Sequence, residues 1–406
     1  MNVFKAAFCR VYQFGFRAAM PILPYREPEP LPSVERIPQK LRELGVSAAL
    51  VVTDGGLRAL GMTVPLEQAM ARAGLACSAY DGTAANPTIA NVEAALAAYR
   101  AGNCGAIVAL GGGSSIDCAK ALRARLAWPK RSVKGMAGNL RIWRKGPPLF
   151  AVPTTAGTGS EATVAAVLVD GETRHKFVMN DFSLIPDYAV LDPALTLGLP
   201  PFYTATTGMD AMTHAVEAYI GRSTTKQTRA WSVEAVRLIH ANLERAYRDG
   251  RDLEARGRML RAAYLAGMSF TRSYVGYVHA VAHSLGGWYD TPHGLANSVL
   301  LPYVLRAYGA RVYRPLKELA VAIGLADAET EPAVAAERFI CRLEEMNRNL
   351  GIPEKLRDIR AGDIEMLSRR ADREGNPLYP VPRLMDAREL RQIYAAAAEH
   401  LDGKEH

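Results

Sequence analysis

Three of the eight histidines, His279, His283 and His293, fall within the stretch GYVHAVAHSLGGWYDTPHG, residues 276–294. His279 and His283 stand at i, i+4, so on a helix both imidazoles project from one face. His293 follows a Thr-Pro step and precedes Gly294, a pattern that predicts a turn able to fold back over that face. Imidazoles converging in this way suit a divalent transition metal; the plain alternative is a histidine cluster satisfied inside a core. Upstream, GMDAMTHAVE, residues 208–217, has helical character and puts Asp210 and His214 at the same i, i+4 spacing. Asp210, His214, His279 and His293 together would offer one carboxylate and three imidazoles. That set suits Fe(II) or Zn(II), and the lack of cysteine in it argues against a structural zinc cage. His283 is then the candidate proton relay, and Glu217 a residue behind the ligands or on the surface.

These side chains need elements to hold them. A chain of 406 residues is too long for one ordinary core, so two domains are expected. Short apolar runs at 48–53, 76–80, 106–110, 149–152, 164–170 and 188–191 alternate with helical segments. This alternation predicts a Rossmann-like parallel sheet covered on both faces. From Pro200 onward the periodicity is helical throughout, over 204–220, 228–248, 252–273, 295–305, 330–350, 361–370 and 387–400. The expected layout is an N-terminal extension and linker at 1–33, an α/β dinucleotide-binding domain at 34–199, and an all-α metal-binding domain at 200–406. The proline-rich segment 21–38 has the character of an extended connector.

Where the nucleotide would sit follows from two loops. The strand at 106–110 feeds Gly111-Gly112-Gly113-Ser114-Ser115-Ile116-Asp117, glycines and a helix N-terminus suited to a pyrophosphate. The spacing is not the common GxGxxG, and a tight turn with no ligand is the alternative. A second loop, PTTAGTGSE at 153–161, is dense in hydroxyls and small residues. Asp54 ends the first strand, placed either to accept from an adenosine ribose or to cap a helix. In the first role its charge would repel a 2′-phosphate, which favours NAD over NADP.

Composition narrows the field. Apolar residues make up 49% and charged residues 22%, ordinary for a globular chain. The net charge of +8, from 49 basic and 41 acidic residues, is spread along helices such as 229–261 and 357–370, so no nucleic-acid module is expected. Five scattered cysteines imply no disulfide framework and fit reduced thiols in a cytoplasm. No apolar run is long enough for a spanning helix. The first 26 residues hold four basic and no acidic side chains, with Phe4, Phe8, Val11, Tyr12, Phe16 and Met20 near helical spacing. An interfacial amphipathic helix, a partner-docking segment, or a helix packed on its own domain or a neighbouring subunit would each fit.

In combination, GGGSSID, PTTAGTGSE, GMDAMTHAVEAY and GYVHAVAHSLGGWYDTPHG, in that order, resemble the iron-containing (group III) alcohol dehydrogenases from about Val34 to the end. The resemblance implies an NAD-dependent oxidoreductase acting on a small primary alcohol or aldehyde, a homodimer or larger assembly, and Fe(II), with Zn as the alternative metal. It implies metal binding by Asp210, His214, His279 and His293, and a dinucleotide site lined by Asp54, Asn86, Gly112, Gly113, Ser114, Asp117, Thr154, Thr155, Thr158 and Lys176. His283 then falls on the substrate side of the metal. The chain departs from the pattern at Ser115, at Phe270-Thr271-Arg272-Ser273, and at Ala165; Arg272 would either bring charge near the pocket or point to solvent. The mechanism implied is hydride transfer across an interdomain cleft, with the metal polarising the substrate oxygen and His283, ribose hydroxyls or water passing the proton. Reduction of a keto acid or a maleylacetate-type substrate is the alternative on this fold, and a non-enzymatic metal-stabilised assembly protein the more distant one. The ligand spacing argues against dehydroquinate synthase-like and glycerol dehydrogenase-like relatives.

Overall fold

The structure, a computed structural model, describes residues 1–171 and 176–400; the last six residues of the expected helical domain lie outside them. The chain divides into two compact units, one of Pro24–Leu199 and one that joins Met1–Leu23 to the residues from Pro200 onward.

Among its described residues the first unit carries nine strands: β1 (Glu29–Leu31), β2 (Ala48–Val52), β3 (Ala76–Tyr80), β4 (Ala106–Gly111), β5 (Gly138–Asn139), β6 (Leu149–Pro153), β7 (Ala165–Val169), β8 (Lys176–Asn180) and β9 (Tyr188–Val190). Six form one sheet in the order β1-β9-β6-β4-β2-β3, every pairing parallel. Successive side chains of a strand point to opposite faces. Leu50, Val52, Ile107 and Ala109 accordingly pack with Ile116, Ala119 and Leu122 of the helix Gly113–Ala127. Ala49, Val51, Val108 and Leu110 pack on the other side with Ile37, Leu41, Leu66 and Met70. Both faces are covered, which is why these strands are apolar without alternation.

Two expectations need correction. The proline-rich segment is not a free connector, because Glu29–Leu31 pairs in parallel with Tyr188–Val190. Pro30 is tolerated there because β1 lies at the sheet edge, where a missing N–H costs no ladder bond. The apolar run at 164–170 forms β7 but does not join the parallel sheet. It pairs antiparallel with β8 in a separate three-stranded sheet. The burial of β7 alternates and that of β8 is mixed, as expected where only one face of a sheet is covered.

The second unit is helical among its described residues, with helices at Pro201–Ile220, Lys226–Arg248, Leu253–Ser273, Tyr277–Tyr289, His293–Tyr308, Tyr313–Ala322, Pro332–Asn349, Ile364–Gly375 and Ala387–Ala397. Helix starts are set by side-chain caps at Thr225, Asp252, Glu331 and Asp386, each satisfying a backbone N–H that the helix leaves open. A Cβ at Gly208 would fall inside contact distance of Leu243, so glycine lets the first two of these helices approach closely. The N-terminal helix Val3–Ala19 belongs to this unit. No helix among the described residues is long and apolar enough to cross a membrane.

Candidate active site

One helix, Pro201–Ile220, carries Asp210 and His214 on the same edge, with His214 Nδ1 4.0 Å from Asp210 Oδ2. The next helix hairpin brings the other two candidates. His279 sits in the first turn of Tyr277–Tyr289. His293 is not in a turn, as its Thr-Pro-His-Gly setting suggests, but opens the helix His293–Tyr308. The turn falls earlier, at Asp290 in the left-handed region (φ 55°), and Pro292 then supplies an extended cap. Gly294 permits the approach: a Cβ there would lie 2.5 Å from the Thr206 carbonyl oxygen. This helix start therefore presses against the helix bearing Asp210, and His293 Nε2 comes within 3.5 Å of Asp210 Oδ1.

One donor atom from each of Asp210, His214, His279 and His293 lies within 4.8 Å of the others. Donors about 2.1 Å from one ion are at most about 4.2 Å apart, so a small inward settling would close them on a cation. The His214 ring is clamped between Phe270, at 4.2 Å, and His279, at 4.6 Å between centroids. Asn297, at i+4 from His293, reports on the charge balance. Its amide nitrogen stands 2.7 Å from Asp210 Oδ1, 3.2 Å from His279 Nε2 and 3.1 Å from His293 Nε2. An amide has two protons for these three acceptors, and its own oxygen is buried without a hydrogen-bond partner. So many lone pairs around a single donor is the arrangement a cation would satisfy.

Behind His279 lies Glu217, which the sequence left open between a residue behind the ligands and a surface residue. It is buried, and Oε2 is 2.6 Å from His279 Nδ1. Its oxygens also accept from the Gly276 and Val278 backbone N–H groups, each at 2.8 Å. A Cβ on Gly276 would strike Glu217 Oε1 at 2.7 Å, so glycine admits the carboxylate. Burial pushes the Glu217 carboxyl up, and the Gly276 and Val278 N–H groups pull it back. Burial, then the neighbouring imidazoles, hold His279 well below the usual histidine range, so it is neutral. With the Asn297 amide nitrogen 3.2 Å from Nε2, the tautomer that matches both neighbours carries its proton on Nδ1, toward Glu217, and leaves a lone pair on Nε2 for the donor set. Glu217→Gln is expected to weaken metal binding by roughly 10- to 100-fold with little change in folding. Competition with a chromogenic chelator measures this, and wild-type affinity in the variant would remove Glu217 from the site.

His283 lies beside this cluster, its ring 5.2 Å from that of His293 and stacked on it. Its Nδ1 is 2.6 Å from Glu374 Oε1, which also accepts from the Tyr379 hydroxyl at 2.6 Å. Burial pushes the Glu374 carboxyl up, but neighbouring His283 and the hydrogen bonds from His283 and Tyr379 outweigh it and hold it below the ordinary range. Neither Glu374 nor Tyr379 is legible as a site residue in sequence, because they arrive from a remote helix end. Arg272 is half-buried, with its guanidinium 5.9 Å from the Trp231 ring centre.

In the other unit the two expected loops meet at the carboxyl ends of β4 and β6. The Thr154 N–H donates to the Gly111 carbonyl at 3.1 Å. Gly112 faces Thr155, and Gly113 faces Thr158 and Ser160. Gly111, outside the expected set, is the most constrained of the three, for a Cβ there would lie 2.5 Å from Ser115 Oγ. The helix Gly113–Ala127 begins here without a side-chain cap, leaving its first N–H groups directed at the loop. The Ser114 hydroxyl donates to the Ala85 carbonyl, and Lys176 Nζ reaches Asn86 Oδ1 at 3.3 Å. Asp54 caps the helix Gly55–Ala59, Oδ1 accepting from the Leu57 N–H at 2.9 Å. Asp117 turns away from the loop mouth, and its Oδ2 accepts from the Val167 N–H of β7 at 3.0 Å. Beside it, buried Lys120 donates to Thr163 Oγ1 at 2.7 Å and the Ala165 carbonyl at 2.8 Å. Burial lowers this lysine to about 8.

A glycine-rich loop at the carboxyl edge of a parallel sheet is where doubly wound folds hold nucleotides, and the helical unit holds an Asp/His donor cluster. Together they define a metal- and dinucleotide-linked oxidoreductase class. The model of the iron-containing alcohol dehydrogenases matches residues 32–193, and that of the C-terminal part of the Fe-containing alcohol dehydrogenase family matches residues 204–398. The chain belongs to the iron-containing alcohol dehydrogenase family. It is 38% identical over 369 residues to 1,3-propanediol dehydrogenase of Klebsiella pneumoniae, covering 90% of this chain and 95% of that protein. The crystal structure of a 1,3-propanediol oxidoreductase superposes with a TM-score of 0.88 at 37% identity, covering 92% of this chain and 99% of the other. The sulfoacetaldehyde reductase of Bifidobacterium kashiwanohense, solved in complex with NAD+, superposes with a TM-score of 0.83 at 26% identity, covering 93% and 99%.

Proposed function

We propose that this chain interconverts a small primary alcohol and its aldehyde, using NAD(H) and an iron(II) ion held by Asp210, His214, His279 and His293. The observation that carries the reading is the convergence of those four donors around one over-committed amide. When bound, the metal supplies Lewis-acid polarisation of the substrate oxygen and the dinucleotide supplies the hydride acceptor. The protein's part is positional. Glu217 fixes the tautomer of His279, Asn297 ties Asp210 to the start of the helix bearing His293, and Gly112, Gly113, Thr154, Thr155 and Thr158 form the phosphate loops. Asn86, Ser114 and Lys176 line their flank, and Asp117 braces the helix behind them. His283, oriented by Glu374, takes the hydroxyl proton at Nε2 during oxidation and returns it during reduction.

Asp54 is assigned to the adenosine ribose, which favours NAD. Asp54→Ser keeps a helix cap but removes the charge, so the preference for NAD over NADP should fall by roughly tenfold or more. An unchanged ratio of kcat/KM values for the two cofactors would leave Asp54 as a cap alone. The five free cysteines support a reducing compartment such as the cytoplasm, and the working assembly is a homodimer. Metal analysis of chelator-free protein, with NADH oxidation followed across short aldehydes and keto acids, tests the whole reading. Iron with aldehyde turnover supports it; metal-independent turnover, or turnover of keto acids alone, overturns it.

A further inference from the structure

The helix Val3–Ala19 lies before the region matched by the family models, and its amphipathicity is reversed. Lys5, Arg10 and Gln13 turn toward the protein. Lys5 pairs with Asp372 at 2.7 Å. Arg10 donates to the Val381 carbonyl at 2.8 Å, and the buried Gln13 to the Tyr379 carbonyl at 2.6 Å. Cys9 is buried on the same side, and Phe16 meets Tyr274 edge-on at 5.0 Å. Those contacts fix the helix's rotation and leave the opposite face to solvent. Val3, Phe4, Phe8, Val11 and Phe14 are between 60 and 84% exposed, and Tyr12 is 44% exposed. At 100° per residue these positions, with Ala7, Gly15 and Ala18 between them, cover about half the helix circumference without a charge. The charges on the helix are all basic: Lys5 and Arg10 stand at the borders of that arc with their inward contacts, and Arg17 is exposed beside one border.

A patch of this width and aromatic content marks an interaction surface. Two occupants compete. A second copy pairing helix to helix would bury, from a helix about 25 Å long and 10–12 Å across, roughly 300 Å² per partner, well under the ~800 Å² of a stable interface. It would also set two exclusively basic helices side by side. A lipid surface needs no matching shape, accepts a wide apolar face to the depth of the acyl boundary, and with anionic headgroups complements the basic borders. We propose that this helix seats the enzyme on an anionic membrane surface, its aromatic face in the bilayer interface and the rest of the protein in water.

The full-length protein, mixed with vesicles of phosphatidylcholine and phosphatidylglycerol in a three-to-one ratio, should co-sediment with them. Binding should weaken with added salt and be much weaker on pure phosphatidylcholine. The variant Phe4→Gln/Phe8→Gln/Val11→Gln, which keeps the helix and its inward contacts, should lose on the order of 100-fold in partitioning. Its melting temperature and NADH-linked activity should match wild type. Three results would each overturn the proposal: wild-type protein remaining in the supernatant, the triple variant binding as well as wild type, or the substitutions splitting a lipid-free dimer without changing vesicle binding.

Discussion

Protein carrying Asp210→Asn is expected to purify folded, to bind little iron, and to lose at least about 10³ in kcat/KM. The substitution preserves the shape of the side chain, and its amide oxygen can still accept from Asn297, which lies 2.7 Å from Asp210 Oδ1. What it removes is the one formal charge among the four donors. Three neutral imidazoles and an amide leave the two positive charges of the ion without a counter-charge, so they bind it more weakly than the set with the carboxylate. Losing Lewis-acid polarisation costs several kcal/mol of transition-state stabilisation, and 10³ corresponds to about 4 kcal/mol. Iron content and activity should fall together across an iron titration, and His279→Ala should behave alike. A variant that retained full turnover without metal would contradict both the ligand assignment and the mechanism.

Gly113→Val is expected to do the reverse, leaving metal content at wild-type level while raising KM for NADH by roughly 100-fold. An ideal Cβ on Gly113 already sits 3.4 Å from both Ser160 Oγ and Thr158 Cγ2. The two methyl groups beyond it would fill the space between the helix start and the second loop, where the proposed site brings a phosphate to backbone N–H groups. Each hydrogen bond to a charged group contributes about 1.5–3 kcal/mol, so losing one or two accounts for the effect. Fluorescence titration of NADH measures it directly. The two variants separate the sites: one loses metal and keeps dinucleotide affinity, the other loses dinucleotide affinity and keeps metal. If Gly113→Val bound NADH normally, the glycine-rich turn would be a tight strand-to-helix connection and nothing more.

Much of this was legible in the chain before it folded. The i, i+4 pairs Asp210/His214 and His279/His283 name their own helix faces, because helical periodicity is a local property. The buried strands declare themselves as unbroken apolar runs, because a parallel sheet hides both faces. The errors share a cause. Glu29–Leu31 has the composition of a linker, and only its pairing with Tyr188–Val190 makes it a strand. The run at 164–170 looks like its neighbours, but only Lys176–Asn180 decides that it pairs antiparallel in a second sheet.

The sequence by itself determined which residue types are available to hold a cation and a pyrophosphate, and it placed Asp210, His214, His279 and His283 on helices, since spacing along the chain dictates the face; His293, expected in a turn, was placed at a helix start only by the fold. Only the tertiary structure decided who stands behind them. Glu217 reaches His279 across sixty-two positions, Glu374 reaches His283 across ninety-one, and Asp210 meets Asn297 across eighty-seven. The same holds for the N-terminal helix, whose composition allows either face to be buried. Carbonyls at Tyr379 and Val381 and the carboxylate of Asp372 take up its polar side chains and leave the aromatic one outside. Hydrogen bonds between distant residues leave no period in a sequence, because their partners are brought together by packing rather than by the geometry of one element.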